Sequence, residues 1–358
     1  MAETNKSIAL VLSGGGIRAM IFHLGVLKYL AEKECLEYVN RLSTVSGGSL
    51  VTGLIFKESN MVWPSSKSYQ DGIYPAIKNK LCSRSMQRRS ILRMFNPLNF
   101  KYWLSRANIL SLELQKGWEI IEALSDLPEM PEWSINGTTA ENGKRFRFKK
   151  ENLGDYRLGY ASSKDFPLSD ALAVSAAFPG GIGPLSLDAK DHTWEKRPSW
   201  DLSVKPEVIE PLFNRLHLYD GGVYDNLGLE PLFDAGKGVP KIKDEVIIVS
   251  DAGAPLKQGF NHFSMSPARL KRVYDMTSEQ SRSLRVRTFV NYLIQNKDSG
   301  SYLYIDTPVT KDGDCESREF ASSFPTSLKK VTEKEFDALA NHGYKVAEKT
   351  DQEFGLGC

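Results

Sequence analysis

What the chain lacks narrows it first. Its 358 residues include four cysteines, Cys35, Cys82, Cys315 and Cys358. Their scatter matches neither a metal site nor a disulfide framework. A reducing compartment and no bound metal are expected. No apolar run approaches the roughly 18 residues of a membrane-spanning helix. The first apolar run, Ile8 to Leu12, is too short for the core of a secretory signal. Charge of one sign is missing too. The 46 Lys and Arg against 44 Asp and Glu leave +2, which gives no indication of nucleic-acid binding. Internal repeats and low-complexity linkers are absent. These absences lead to a cytoplasmic protein without cofactors, its oligomeric state left open.

The chain is long enough for one large α/β domain or two smaller ones. Ser7 to Leu12 reads as a buried strand. Gly14-Gly15-Gly16 breaks it, and Ile17, Met20, Ile21, Leu24, Leu27 and Leu30 then recur at helical spacing. Glycines at such a junction expose backbone N–H groups to an anion. Two uses compete. Gly14 to Ala19 fits the dinucleotide fingerprint G-x-G-x-x-A, and it would equally hold an oxyanion. The fingerprint needs an acid at the tip of the second strand. That strand ends Thr44-Val45-Ser46, without one.

Ser43 to Gly48 is the stretch the chain is organised around. A short strand leads in, and an amphipathic run from Leu50 to Phe56 leads out. Strand, tight turn and helix make a nucleophile elbow, which lifts one serine onto the tip of the turn. Ser46 is that serine. Gly48 suits the crowded flank, whereas Thr44 stands where glycine is expected. A Ser-Gly-rich turn without chemistry would look similar.

Further on, Lys80 to Arg106 holds seven basic residues and no acid, among them Lys80, Arg84, Arg88, Arg89, Arg93, Lys101 and Arg106. Large apolar residues such as Ile91, Leu92, Phe95, Trp103 and Leu104 are interleaved. The mixture suits either a solvated cap over 61–130 or a surface touching anionic lipid. Asn136-Gly137-Thr138 and Asn142-Gly143-Lys144 look like turns. Leu216 to Tyr219 reads as a strand ending in Asp220-Gly221-Gly222, with a helix from about Leu227. A second Asp-x-Gly, Asp251-Ala252-Gly253, follows the strong strand Glu245 to Ser250. A long charged helix runs from Ser266 to Ile294, and another closes the chain from Glu333 to Phe354. Strands alternating with helices argue for one three-layer α/β/α domain around a mostly parallel sheet.

Four segments together resemble the patatin-like phospholipase family, in that family's order. They are Gly14 to Ala19, Thr44 to Gly48, Ser175 to Pro184, and Asp220 to Gly222. The resemblance implies a patatin-like fold with a cap-like insertion. It implies hydrolysis of carboxylic esters in phospholipid or another acyl-lipid, through an acyl-enzyme. Ser46 would be nucleophile and Asp220 general base, with Gly14, Gly15 and Gly16 as oxyanion hole and Arg18 supporting that loop. Thr44, Gly48, Gly221 and Gly222 would shape the turns. Ala19 and Thr44 depart from the family's glycines, and Thr44 would crowd the elbow slightly. No cofactor is implied. A phosphate-binding regulatory protein remains an alternative. So does a Ser-Asp-His esterase using His342, since the order Ser46, Asp220, His342 is that of α/β-hydrolases. His23, His192, His217 and His262 are placed less well for that role.

Overall fold

A computed structural model of the chain describes residues 6–102, 105–199, 203–256, 258–259, 267–309 and 315–357. Trp103, Leu104, His262, Ser266 and Cys358 lie outside the described residues, as do the side chains of Lys101 and Cys315.

Strand β1 (Ser7–Leu12) leads through the glycine loop into helix α1 (Gly16–Glu32). Strand β2 (Val39–Thr44) leads through the Ser46 turn into helix α2 (Gly47–Glu58). Strand β3 (Glu132–Thr139) follows a helical segment. In the sheet, Gly300–Tyr304, Glu245–Asp251, β1, β2 and β3 lie side by side, each pair parallel. Beyond β3 the sheet turns antiparallel, through Arg145–Phe148, Asn152–Asp155 and Gly159–Ser162.

β1 shows why this sheet has two covered faces. Ile8, Leu10 and Leu12 enter one apolar cluster, with residues of α1, α2 and the closing helix Glu333–Phe354. Ala9 and Val11 enter another, with Phe233, Ile247 and Phe289 of the long helix Pro267–Gln295. Alternate residues of a strand point to opposite faces, so a strand buried on both must be apolar throughout. The result is a three-layer α/β/α arrangement around a mixed sheet with a parallel core.

The strand carrying Asp220, Arg215–Asp220, is antiparallel to β3. Its position follows from the register. Gly137 and Thr138 of β3 pair with Phe146 and Arg145 on one edge, and with Asp220 and Tyr219 on the other. β2 occupies that second edge up to Thr44, opposite Ile135. The C-terminal tips of β2 and of Arg215–Asp220 therefore meet head to head beside β3. Only the step from Ile135 to Gly137, roughly 7 Å at strand rise, separates their partners.

Several expectations need correcting here. Asn136-Gly137-Thr138 is the middle of β3 and not a turn. The helix expected from Leu227 is absent; a short one, Gly222–Asp225, precedes it. Cys35 is disulfide-bonded, against the expectation of unpaired cysteines, while Cys82 is free. Sequence spacing could not reveal that bond, because such pairs are brought together by the fold.

Between α2 and β3 lie the helices Tyr74–Ser83, Met86–Met94 and Ala107–Gly117. Its basic residues are less free than their run suggests. Lys80 pairs with Glu58 at 2.6 Å, and Arg93 pairs with the fully buried Glu113. Arg84 donates to the Gly117 carbonyl and Arg106 to that of Gly181. Arg88 and Arg89 face outward. Among the described residues no helix is long and apolar enough to cross a membrane.

Candidate active site

Ser46 sits between β2 and α2 with φ 50° and ψ −118°. A positive φ is uncommon for a residue with a Cβ, and such strain persists only where the surroundings enforce it. The enforcement is visible. A Cβ on Gly47 would lie 2.3 Å from the Gly16 carbonyl oxygen, and one on Gly48 2.3 Å from that of Leu12. Two loops are thus pressed together backbone to backbone, and the turn must be sharp. The Ser46 N–H is held from below by the Ser175 hydroxyl at 3.0 Å.

Asp220 reaches Ser46 from the opposing strand tip. Its carboxylate accepts a hydrogen bond from the Ser46 hydroxyl, and its Oδ1 accepts the Gly222 N–H at 2.7 Å. The residue is 4% exposed. Burial disfavours the charged form and pushes its carboxyl up from 3.8 to about 7, against the two hydrogen bonds that pull it down. Its main chain is fixed as well: Thr138 Oγ1 donates to its carbonyl, and its N–H donates to Ala177.

The glycine loop passes over Ser46. A Cβ on Gly14 would lie 3.2 Å from that of Ser46. Gly15 and Gly16 have φ of 147° and 57°, conformations that favour glycine. The expectation of three oxyanion donors needs correcting. Gly14 N–H donates to the Asn226 carbonyl at 3.0 Å. Gly15 and Gly16 N–H have no hydrogen-bond partner among the described residues. Arg18 is buried beneath the loop. It donates to the carbonyls of Ala252, Ser322 and Phe324, and burial lowers its pKa to about 10.

A loop of glycines, a strained serine and a buried aspartate now share one sheet edge. The sequence profile of the patatin-like phospholipase family matches residues 10–233. The chain belongs to that family. No curated protein matches the chain. Among solved structures it is similar to human GIVD cytosolic phospholipase A2, with TM-score 0.53 and 13% identity over 98% of this chain and 61% of that one. The same enzyme in complex with methyl gamma-linolenyl fluorophosphonate aligns with TM-score 0.51 and 14% identity, over 98% of this chain and 57% of that one. The patatin-like chain thus spans about three fifths of the length of these structures, and the likeness is one of fold.

The two departures of this patatin-like chain can now be weighed. Thr44 does not crowd the elbow, as its sequence suggested. Its hydroxyl accepts from Trp133 Nε1 at 2.9 Å and lies 2.7 Å from Ser49 Oγ. Ser49 in turn is 2.8 Å from Ser175, which donates to the Asn136 carbonyl at 2.8 Å. An indole N–H can only donate and a carbonyl only accept. The chain of protons therefore runs one way, from Trp133 through Thr44, Ser49 and Ser175 to Asn136. Ala19 is the other departure, and its methyl group packs between Gly15 and Gly47.

Other candidates are engaged elsewhere. His342 is buried, with Nε2 at 2.6 Å from the Ile305 carbonyl and Nδ1 at 3.0 Å from Ser317. His23 binds the Ser13 carbonyl through Nε2 and Ser250 through Nδ1, and burial lowers it to about 4. It is a neutral brace under the glycine loop. His217 pairs with Glu141 at 2.7 Å. Asp251 is buried in an ion pair with Arg282 and accepts from Tyr302 at 2.6 Å.

A cavity of about 960 Å³ opens above Ser46 and Asp220. Sequence reasoning missed much of its wall: Asn226, Tyr274, the 325–328 segment, and Gln87 and Ser90 on the helix Met86–Met94. No local pattern marks these residues, because each reaches the cavity through a contact distant in sequence.

Proposed function

We propose that this patatin-like chain is a serine hydrolase of lipid carboxylic esters, working through a Ser-Asp dyad and an acyl-enzyme. One observation carries the reading. A serine in a strained turn donates its hydroxyl proton to a buried carboxylate that burial has raised to about 7. That pKa makes the carboxylate a competent general base near neutrality.

Ser46 Oγ attacks the ester carbonyl carbon, and its proton passes to Asp220 as the new C–O bond forms. The carbonyl oxygen becomes an oxyanion facing the N–H groups of Gly15 and Gly16. Such donors act on charge that develops only in the transition state. Asp220 returns the proton to the departing alkoxide, which leaves as an alcohol. Water then attacks the acyl-Ser46, giving its proton to Asp220. The ester bond to Ser46 breaks, the fatty acid is released, and the proton returns to Ser46. Arg18 holds the glycine loop through its carbonyl contacts.

The substrate side of the reading rests on the family and on the cavity, which combines the polar site with Ile91, Met94, Ile109 and Leu110. The whole chain is read as one catalytic domain, and 61–130 as its cap. The outer face of the cap would meet an anionic lipid surface. Leu92, Phe95 and Leu98 are 70%, 71% and 81% exposed. Beside them Arg84, Arg88, Arg89 and Lys330 line a concavity of about 440 Å³. Apolar residues flanked by cations are what a peripheral contact at a charged membrane needs.

A fluorophosphonate probe tests the core of the reading. Wild-type protein should be labelled covalently, and Ser46→Ala should lose labelling with its circular dichroism spectrum unchanged. Persistent labelling of Ser46→Ala would reject the nucleophile.

A further inference from the structure

The helix Met86–Met94 sends four residues into the cavity: Gln87, Ser90, Ile91 and Met94. Their spacing puts them on one stripe of the helix. The stripe is polar at its first turn and apolar at its second. Gln87 Oε1 and Ser90 Oγ are buried, and neither has a hydrogen-bond partner in the protein. Buried polar atoms are ordinarily bonded, and two orphans on one stripe facing one cavity need a reason. The mechanism above supplies none.

The backbone also sets how far these atoms lie from the chemistry. Ile17, at the end of the glycine loop, donates its N–H to the Ser327 carbonyl at 3.0 Å. Gln87 donates its N–H to the next carbonyl, that of Leu328, at 3.0 Å. One segment therefore separates the glycine loop from the helix, a gap on the order of 10 Å, or two interstrand spacings. A glutamine side chain reaching back shortens it further.

We propose that Gln87 and Ser90 form a subsite for a hydroxyl group on the alcohol portion of the lipid ester, such as a free glycerol hydroxyl. This rests on the ester-hydrolase reading above. The choice of a hydroxyl follows from donor and acceptor roles. Gln87 Oε1 only accepts, while Ser90 Oγ can donate and accept. A single hydroxyl donates to the first and accepts from the second. A phosphate oxygen would leave Gln87 Oε1 unbonded, and an ammonium would leave the Ser90 proton unbonded. Ile91 and Met94, one turn on, take the apolar part of the same substrate. A site that offers buried polar groups discriminates strongly against an analogue unable to bond them.

The test uses two esters of one fatty acid in the same nonionic micelles: a 1-monoacylglycerol and its 2,3-di-O-methyl ether. The readout is the ratio of their kcat/KM values, which cancels differences in active fraction. Wild-type protein should prefer the free diol at least tenfold. Ser90→Ala should lower the preference several-fold, and Gln87→Leu with Ser90→Ala should bring it within about twofold. Ser90→Ala alone keeps the question answerable if the double variant fails to fold. Equal wild-type rates would mean that water alone serves the two atoms, and would overturn the subsite. A preference that survives both substitutions would overturn it as well. Labelling of Ser46 by fluorophosphonate without hydrolysis of either ester overturns the subsite but leaves the serine chemistry standing. No labelling and no hydrolysis overturns both.

Discussion

Asp220 and Asp251 begin alike. Each ends a strand, each is buried, and each accepts the N–H of the glycine two residues on, at 2.7 and 2.8 Å. The difference lies in what else reaches the carboxylate. Asp251 meets the Arg282 guanidinium and the Tyr302 hydroxyl, which answer its charge where it sits. Asp220 has no ion-pair partner among the described residues and meets Ser46. Local sequence can place a carboxylate. The partner that folding brings to it decides whether it fixes structure or moves protons.

Substitution at both sites should break that resemblance most sharply. Asp220→Asn should lower kcat/KM on the order of 10³-fold or more, as when a general base is removed, with the fold intact. Asp251→Asn should instead destabilise the protein by about 3–5 kcal/mol, because it leaves Arg282 buried without its counter-charge. Urea unfolding beside ester kinetics separates the two. Loss of activity in a well-folded Asp251→Asn variant, with Asp220→Asn active, would reverse the assignment.

Acidity sharpens the contrast next. Asp220 holds its proton more tightly folded, at about 7, than unfolded, near 3.8. The folded state therefore binds more protons between those values. Its advantage is full below pH 4 and is lost as pH rises to 7, by up to about 4 kcal/mol. Asp220→Asn carries no such dependence. Its stability relative to wild type should rise between pH 4 and pH 8, and a flat difference would count against the burial account. Wild-type kcat/KM should climb with pH through a midpoint near 7, where Asp220 becomes a free base.

The effect of His342→Ala on chemistry should be smaller. Both ring nitrogens are engaged away from Ser46, by Ile305 and Ser317. Activity per folded molecule should stay within about tenfold, and collapse would favour a triad. The smallest effect belongs to the surface. Neutralising Arg88 and Lys330 should weaken binding to anionic vesicles several-fold, in a manner that salt reproduces in the wild type. Arg93 is unsuitable for this test, since it answers the buried Glu113.

Much of the site was legible because its parts are local. The β1 run, three glycines and the α1 period lie within 30 residues, and so does the Ser46 turn between β2 and α2. Asp220 stood out by its strand end and following glycines. What the sequence hid depends on distant contacts. Asn226 withdraws Gly14 from the oxyanion donors across more than two hundred residues. Thr44 looked like a misfit until Trp133 and Ser49 supplied its hydrogen bonds. Asn136-Gly137-Thr138 has turn composition, yet it is strand. Its carbonyls and side chains serve Ser175, Ser43 and Asp220, and a Cβ on Gly137 would lie 2.7 Å from Val174. Propensity yields to such packing.

That stretch of β3 also acts as a gauge. Thr44 is registered on Ile135 and Asp220 on Gly137, so the gap between the two reacting side chains is measured along a strand that supplies neither. The strands ending beside Ser46 and at Asp220 have no register with each other except through it. One residue added between Ile135 and Gly137 would part them by roughly 3 Å. The proton could no longer cross, although every group named in the chemistry would still be present.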